Sequence, residues 1–230
     1  MIPLKDMTPR RSFPLMTLLL IAANIAVFIH QISLPPRAAD AFIMTYGLVP
    51  AKISMPLAGR HYTLVQALVP LFTCMFLHGG WLHIIGNMWF LWIFGANVED
   101  RLGAFPFLLF YLVCGIGSGI TQAAFSWGSK IPSLGASGAI SGVLGAYIIF
   151  FPGSRILTLI PLFIIFFTAR IPAVIFIGLW FLVQFLSGLG SMGAVNSGGV
   201  AWWAHVGGFL MGMILALGLK RRPADNWSAG

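Results

Sequence analysis

The chain has 230 residues, 59% of them apolar and only 8% charged, with a formal net charge of +8. A soluble domain carries roughly a quarter charged residues, so this composition excludes a water-exposed globule and points to a bilayer as the solvent. The apolar runs are continuous rather than alternating, which favours helices over a barrel. The basic residues sit in short segments between those runs, where they read as topological charge and not as a nucleic-acid surface.

The chain opens on a short polar segment, residues 1–13, that contains Thr8-Pro-Arg-Arg-Ser-Phe-Pro-Leu. These residues have the look of a twin-arginine export signal, but the apolar run behind them lacks a small-residue cleavage site. It reads as a retained first span, residues 14–34, closed by Pro35-Pro36. Residues 35–80 are apolar and aromatic but broken by Pro50, Pro56 and Pro70. They are too interrupted to cross and too greasy for a free loop, so an interfacial segment sunk in the outer leaflet is expected.

Crossing about 30 Å of hydrocarbon takes about 20 apolar residues. On that measure, further spans are expected at 81–95, 105–127, from Ser137 to about 151, at 172–186 and at 200–219. The run 156–169 is apolar throughout but short for a span, and reads as interfacial. The expected architecture is all-α, a polytopic six-helix membrane domain over residues 14–219 with a tail at 220–230. Cys74 and Cys114 read as buried free thiols. Placing both termini in the cytoplasm puts Lys5, Arg10, Arg11, Arg101, Arg155, Arg170, Lys220, Arg221 and Arg222 inside. Only Arg37, Lys52, Arg60 and Lys130 remain outside, as the positive-inside rule prefers.

Polar side chains inside a membrane helix are costly and mark function. Four stand out: His83 and Asn87 in the second span, Ser137 in the fourth, and His205 in the sixth. Each falls within about two turns of its helix's outer end, so the four can share one layer. Ser137 lies in Gly135-Ala-Ser-Gly-Ala; Gly138 with Gly142, and Gly208 with Gly212, form small-xxx-small faces that let the two helices approach closely. A hydroxyl needs a base to become a nucleophile, and a neutral imidazole suits that role. The acidic residues Asp6, Glu99, Asp100 and Asp225 fall on the cytoplasmic side and Asp40 in the interfacial connection. A Ser137–His205 dyad is therefore expected rather than a triad. His83 and Asn87, at i and i+4, share a helix face; with the Ser137 amide they are candidate donors to an oxyanion. His78 lies just outside this span, as a site-shaping or loop-packing residue. The Gly- and Ser-rich linker over residues 188–199 reads either as a mobile cap over His205 or as a plain flexible turn.

The segments Phe76-Leu-His-Gly-Gly-Trp-Leu-His-Ile-Ile-Gly-Asn-Met, Glu99-Asp-Arg-Leu-Gly, Gly135-Ala-Ser-Gly and Ala204-His-Val-Gly-Gly-Phe-Leu-Met-Gly resemble the signatures of the rhomboid family of intramembrane serine proteases. The resemblance covers residues 73–219. It implies a six-helix core, Ser137 as nucleophile, His205 as base, and His83 and Asn87 at the oxyanion hole. It also implies that transmembrane protein substrates are cut near their external end, often at small residues. No metal or organic cofactor is implied. Two departures stand out: Val69-Pro70 where the family often has Trp-Arg, and Ser141 where many members carry an aromatic against the catalytic histidine. The competing readings are a catalytically inactive rhomboid-like protein that binds membrane helices, and a transporter or channel. The latter would normally carry broken helices around a midplane site or buried carboxylates. A bacterial cytoplasmic membrane is the expected location; the oligomeric state is left open.

Overall fold

The computed structural model describes residues 1–57, 62–162, 165–192 and 200–219. Arg60, most of the 188–199 linker and the 220–230 tail with Lys220, Arg221 and Arg222 lie outside the described residues.

Helices dominate, as the continuous apolar runs require. In chain order they are α1 (Leu15–Ser33), α2 (Pro36–Tyr46), α3 (Pro50–Leu57), α4 (Leu64–Thr73), α5 (Trp81–Phe90), α6 (Ala96–Leu102), α7 (Ala104–Phe125), α8 (Ser137–Phe150), α9 (Ala173–Ser191) and α10 (Trp202–Leu219). A 3₁₀ turn at Cys74–Phe76 follows α4, and a wide π turn, Leu91–Gly95, joins α5 to α6 without a break. Four helices, α1, α7, α9 and α10, are long and apolar enough to cross a membrane. A fifth candidate is the pair Leu64–Phe76 and Trp81–Leu102, bent by 78°. α8, with 14 residues, is apolar but shorter.

The interfacial connection folds into α2, α3 and α4 instead of remaining irregular. α4 begins at a capping box, with the Gln66 amide donating to Thr63 Oγ1 and the Thr63 amide to Gln66 Oε1. It turns Leu64, Val65, Leu68 and Phe72 outward and buries Ala67 and Leu71, an apolar outer face suited to lipid.

The expectation of a purely helical chain is corrected by a three-stranded antiparallel sheet of β1 (Ile2–Asp6), β2 (Arg155–Leu162) and β3 (Ile165–Pro172), in the order β1-β2-β3. Arg155–Leu162 and Ile165–Pro172 thus pair as neighbouring antiparallel strands. Their backbone groups pair within the sheet, from Arg155 opposite Pro172 to Leu162 opposite Ile165. Burial alternates along the start of β2, with Ile156 and Thr158 inside. In a run apolar on both faces, that period of two is hidden from the sequence. The segment ahead of α1 is likewise not a free tail, because β1 completes the sheet.

Glu99 and Asp100, expected on the cytoplasmic side, fasten the start of the chain. The buried Glu99 carboxylate accepts from the amides of Met16 (2.9 Å) and Thr17 (2.8 Å) and from Thr17 Oγ1 (2.7 Å). These are first-turn donors of α1, which have no acceptor inside their own helix and favour a negative charge. Asp100 accepts from the amides of Arg11 and Ser12. Glu99→Ala is expected to lower stability by about 3 kcal/mol, since charge-assisted bonds to buried amides are lost together. Thermal melting of the purified protein in detergent checks this; an unchanged midpoint contradicts the cap.

The core sits where α10 packs most extensively on α8 and also on α7, which pack on each other. A Cβ on Gly208 would collide with the Gly138 carbonyl, and one on Gly212 with the Gly142 carbonyl. The two small-residue faces therefore meet as the sequence pattern requires.

Candidate active site

The close approach of α8 and α10 puts their N-terminal ends side by side. His205 Nε2 lies 2.7 Å from Ser137 Oγ. The chain reaching Ser137 is pinned by its backbone: the Leu48 and Ser133 amides exchange bonds with each other's carbonyls (3.0 and 2.8 Å), and the Gly135 amide donates to the Cys74 carbonyl (2.9 Å). Gly135 has φ +120°, a region that only glycine enters freely, and a Cβ there would stand 2.7 Å from His83 Nε2. On the far side, Gln122 Oε1 accepts from the Ala204 amide (3.0 Å) and holds the first turn of α10 against α7.

The other ring nitrogen of His205 carries the assignment of protons. Nδ1 lies 2.6 Å from Gln184 Oε1 on α9, and both side chains are buried. An amide oxygen only accepts, so Nδ1 holds the hydrogen and Nε2 is left with its lone pair facing the Ser137 hydroxyl. Gln184 is a site residue that sequence reasoning missed. A search for a carboxylate third partner passes over it, although a lone glutamine in an apolar span is itself a signal.

Ser141 does not substitute for the missing aromatic. Its hydroxyl donates back to the Ser137 carbonyl (2.6 Å), the ordinary habit of serine in a helix. The imidazole is flanked instead by Trp180 (centroids 5.9 Å apart, tilted 36°) and Trp202 (6.3 Å, 90°). Gln184 and these two rings answer how His205 is held.

His83 and Asn87 share the face of α5 that looks toward Gly135, as their spacing predicts. The Gly79 amide donates to His83 Nδ1 (3.3 Å), so the hydrogen of that ring sits on Nε2, the nitrogen nearest Gly135. Asn87 Nδ2 is buried with no hydrogen-bond partner among the described residues. A buried donor left unpaired is rare and calls for a reason. Ser137 opens α8, so its amide is a third donor without an intrahelical acceptor. His78 is held through its backbone, with Gln31 Nε2 donating to its carbonyl (2.8 Å); its ring packs edge-on against His83 at 5.1 Å.

Ser137, His205, Gln184, His83, Asn87 and Trp180 all line one open cavity of about 510 Å³. The 14 residues of α8 span about 21 Å, less than the ~30 Å of a hydrocarbon core. Chemically, the arrangement offers a hydroxyl bonded to a neutral imidazole, with unspent N–H donors on the other side of that hydroxyl.

The family model described as the Rhomboid domain matches residues 65–222. RHOMBOID-like protein 4 of Arabidopsis thaliana is 29% identical over 95% of the chain and 56% of its own length. Rhomboid protein 1, mitochondrial, of Saccharomyces cerevisiae is 34% identical over 60% of the chain and 38% of its own. Rhomboid protease GluP of Bacillus subtilis is 35% identical over 67% of the chain and 27% of its own. The chain spans about half the length, or less, of the curated relatives it matches.

Proposed function

The chain belongs to the rhomboid family of membrane-embedded, multi-pass proteins, and on that footing we propose that it is an intramembrane serine endopeptidase cutting transmembrane helices of other membrane proteins near their external end. The observation that carries this reading is the chain of contacts Ser137 Oγ, His205 Nε2 and Nδ1, and Gln184 Oε1, at 2.7 and 2.6 Å. The Bacillus subtilis relative, Rhomboid protease GluP, agrees with it by name.

In this proposal Ser137 Oγ attacks the scissile carbonyl while His205 Nε2 takes its proton. The negative oxygen of the tetrahedral intermediate is received by Asn87 Nδ2, His83 Nε2–H and the Ser137 amide. His205 then gives its proton to the leaving amine, and a water activated by the same nitrogen releases the acyl group. The carbonyl must be freed from its own helix before it can be attacked, which favours substrate segments that unwind easily. Gln184 never touches the reacting atoms; it is a positioning residue that fixes the tautomer and plane of the imidazole.

The proposed membrane unit is residues 14–219, with six spans formed by α1, α5–α6, α7, α8, α9 and α10. The charge distribution favours both termini in the cytoplasm, and a bacterial cytoplasmic membrane is the proposed location.

The test is a cleavage assay with the full chain in liposomes against a panel of single-span helices, with products identified by mass spectrometry. Cuts near the external end of the helix are expected. Intact substrates that nevertheless co-purify with the protein would support an inactive helix-binding rhomboid instead. For Gln184→Leu we expect kcat to fall about tenfold or more, the equivalent of one orienting hydrogen bond, with KM little changed. Gln184→Glu keeps an acceptor for Nδ1–H and is expected to retain most of the rate. Equal losses in both variants would reduce Gln184 to packing.

A further inference from the structure

The end of α8 remote from Ser137 borders a second cavity, of about 770 Å³, lined by residues of β2, of β3 and of the ends of α6 and α8. Its lining brings together Arg101 from the end of α6, Arg155 from β2 and Arg170 from β3, beside the rings of Phe150 and Phe151. The strand register explains the convergence. Lys5, Leu157 and Arg170 are cross-strand partners in one row. Arg155 lies two residues from Leu157, so it points to the same face of the sheet. Residues of the opposite face, Asp6, Ile156 and Thr158, are buried against the bundle. Alternation has sorted the cations to one side.

Nearby carboxylates are already engaged. Asp6 accepts from Tyr147 (2.6 Å), the Thr8 amide (2.8 Å) and Asn97; Glu99 and Asp100 accept from the first turn of α1 and the residues before it. Arg101 stacks over the Phe150 ring at 6.0 Å, and no carboxylate among the described residues pairs with Arg101, Arg155 or Arg170. The apolar side chains beside these cations are the rings of Phe150 and Phe151, while Leu162, Ile165, Phe166 and Phe167 are exposed at the far end of the strands, about 20 Å along β2 from Arg155. A phosphate ester bearing apolar chains fits such a surface: guanidinium forks match phosphate oxygens, and the Phe150 and Phe151 rings offer apolar contact beside them.

We infer that this cavity is a binding site for an anionic phospholipid, whose headgroup phosphate is held by Arg101, Arg155 and Arg170 in the leaflet remote from the catalytic cavity. It rests on the fold and the sheet register, and stands whether or not Ser137 and His205 form a protease. Basic pockets at the ends of membrane helices hold anionic headgroups by this chemistry.

The experiment titrates the full-length protein in detergent with phosphatidylglycerol or phosphatidylcholine and counts bound lipid by native mass spectrometry. One phosphatidylglycerol retained per chain is expected, with phosphatidylcholine at least about tenfold weaker. Equal retention of the two lipids overturns the inference. Inorganic phosphate in large excess should fail to displace the lipid; displacement would make this an anion site and not a lipid site. The double variant Arg155→Gln/Arg170→Gln is expected to lose the bound lipid. Arg37→Gln/Lys130→Gln, which removes the same charge at the other end of the molecule, should keep it. Loss in both double variants would mean unspecific charge attraction and overturns the site. The two lipid arms on the unaltered protein decide the matter even if the Arg155→Gln/Arg170→Gln protein folds poorly.

Discussion

Ser137→Ala and His205→Ala are each expected to reduce cleavage in liposomes below detection while leaving the thermal midpoint within a few degrees of the unaltered protein. The two groups act as one unit: without the hydroxyl there is no acyl acceptor, and without the imidazole nothing takes the proton at neutral pH. The double variant should therefore be no worse than either single one. Ser137→Ala should cost little because the Ser137–His205 bond is one contact beside the α8–α10 seam, whose closeness comes from the glycine faces. His205→Ala also leaves the buried Gln184 Oε1 without its donor, so its midpoint should fall further, toward the limit of those few degrees. A serine-directed fluorophosphonate is expected to label the unaltered protein, to miss Ser137→Ala, and to label His205→Ala only slowly. Undiminished turnover in either single variant would sink the dyad. Loss of turnover accompanied by unfolding would instead assign these residues to the scaffold.

Most of the helical architecture could be read from the chain because apolar run length is a strong signal in a bilayer. Residues 14–34, 105–127 and 200–219 were expected as spans and appear as α1, α7 and α10 within a few residues. The meeting of Ser137, His205, His83 and Asn87 was legible for a related reason: in an apolar helix a polar side chain is conspicuous, and its depth follows from charge and topology. The strand pair β2–β3 was not legible. Its two faces are both rich in apolar residues, so the alternation of Ile156 and Thr158 with outward neighbours vanishes into a uniform run. Gln184 was missed for a different reason. Partners of a histidine are usually sought among carboxylates, yet orienting Nδ1–H requires only an acceptor, and a neutral amide is less costly to bury than a charge. The same economy explains Ser141. With Gln184, Trp180 and Trp202 around the imidazole, an aromatic at residue 141 is not needed, and a small residue lets α8 pack closely there.

Asn87 carries the second large expectation, and the reason is a cost visible in the resting protein. Its Nδ2 is buried with no hydrogen-bond partner among the described residues, and a buried donor without a protein acceptor costs about 1–3 kcal/mol where water does not reach it. Placed on the α5 face that looks to Gly135, two residues before Ser137, and on the wall of the open cavity, that donor is available to an oxygen that arrives there. A donor unsatisfied at rest and satisfied at the tetrahedral stage binds the transition state better than the ground state, which is what raises kcat. Asn87→Ala is accordingly expected to lower kcat by ~10²-fold or more with KM little changed, and to leave stability equal or slightly higher because an unpaired group has been removed. Asn87→Asp should be at least as slow, since a carboxylate repels the developing oxyanion. The decisive pairing is of two numbers from one preparation: a fall in kcat together with a preserved or raised melting midpoint. If kcat and the midpoint fell together, Asn87 would be holding α5 to α8, and the oxyanion would have to be met by His83 Nε2–H and the Ser137 amide alone.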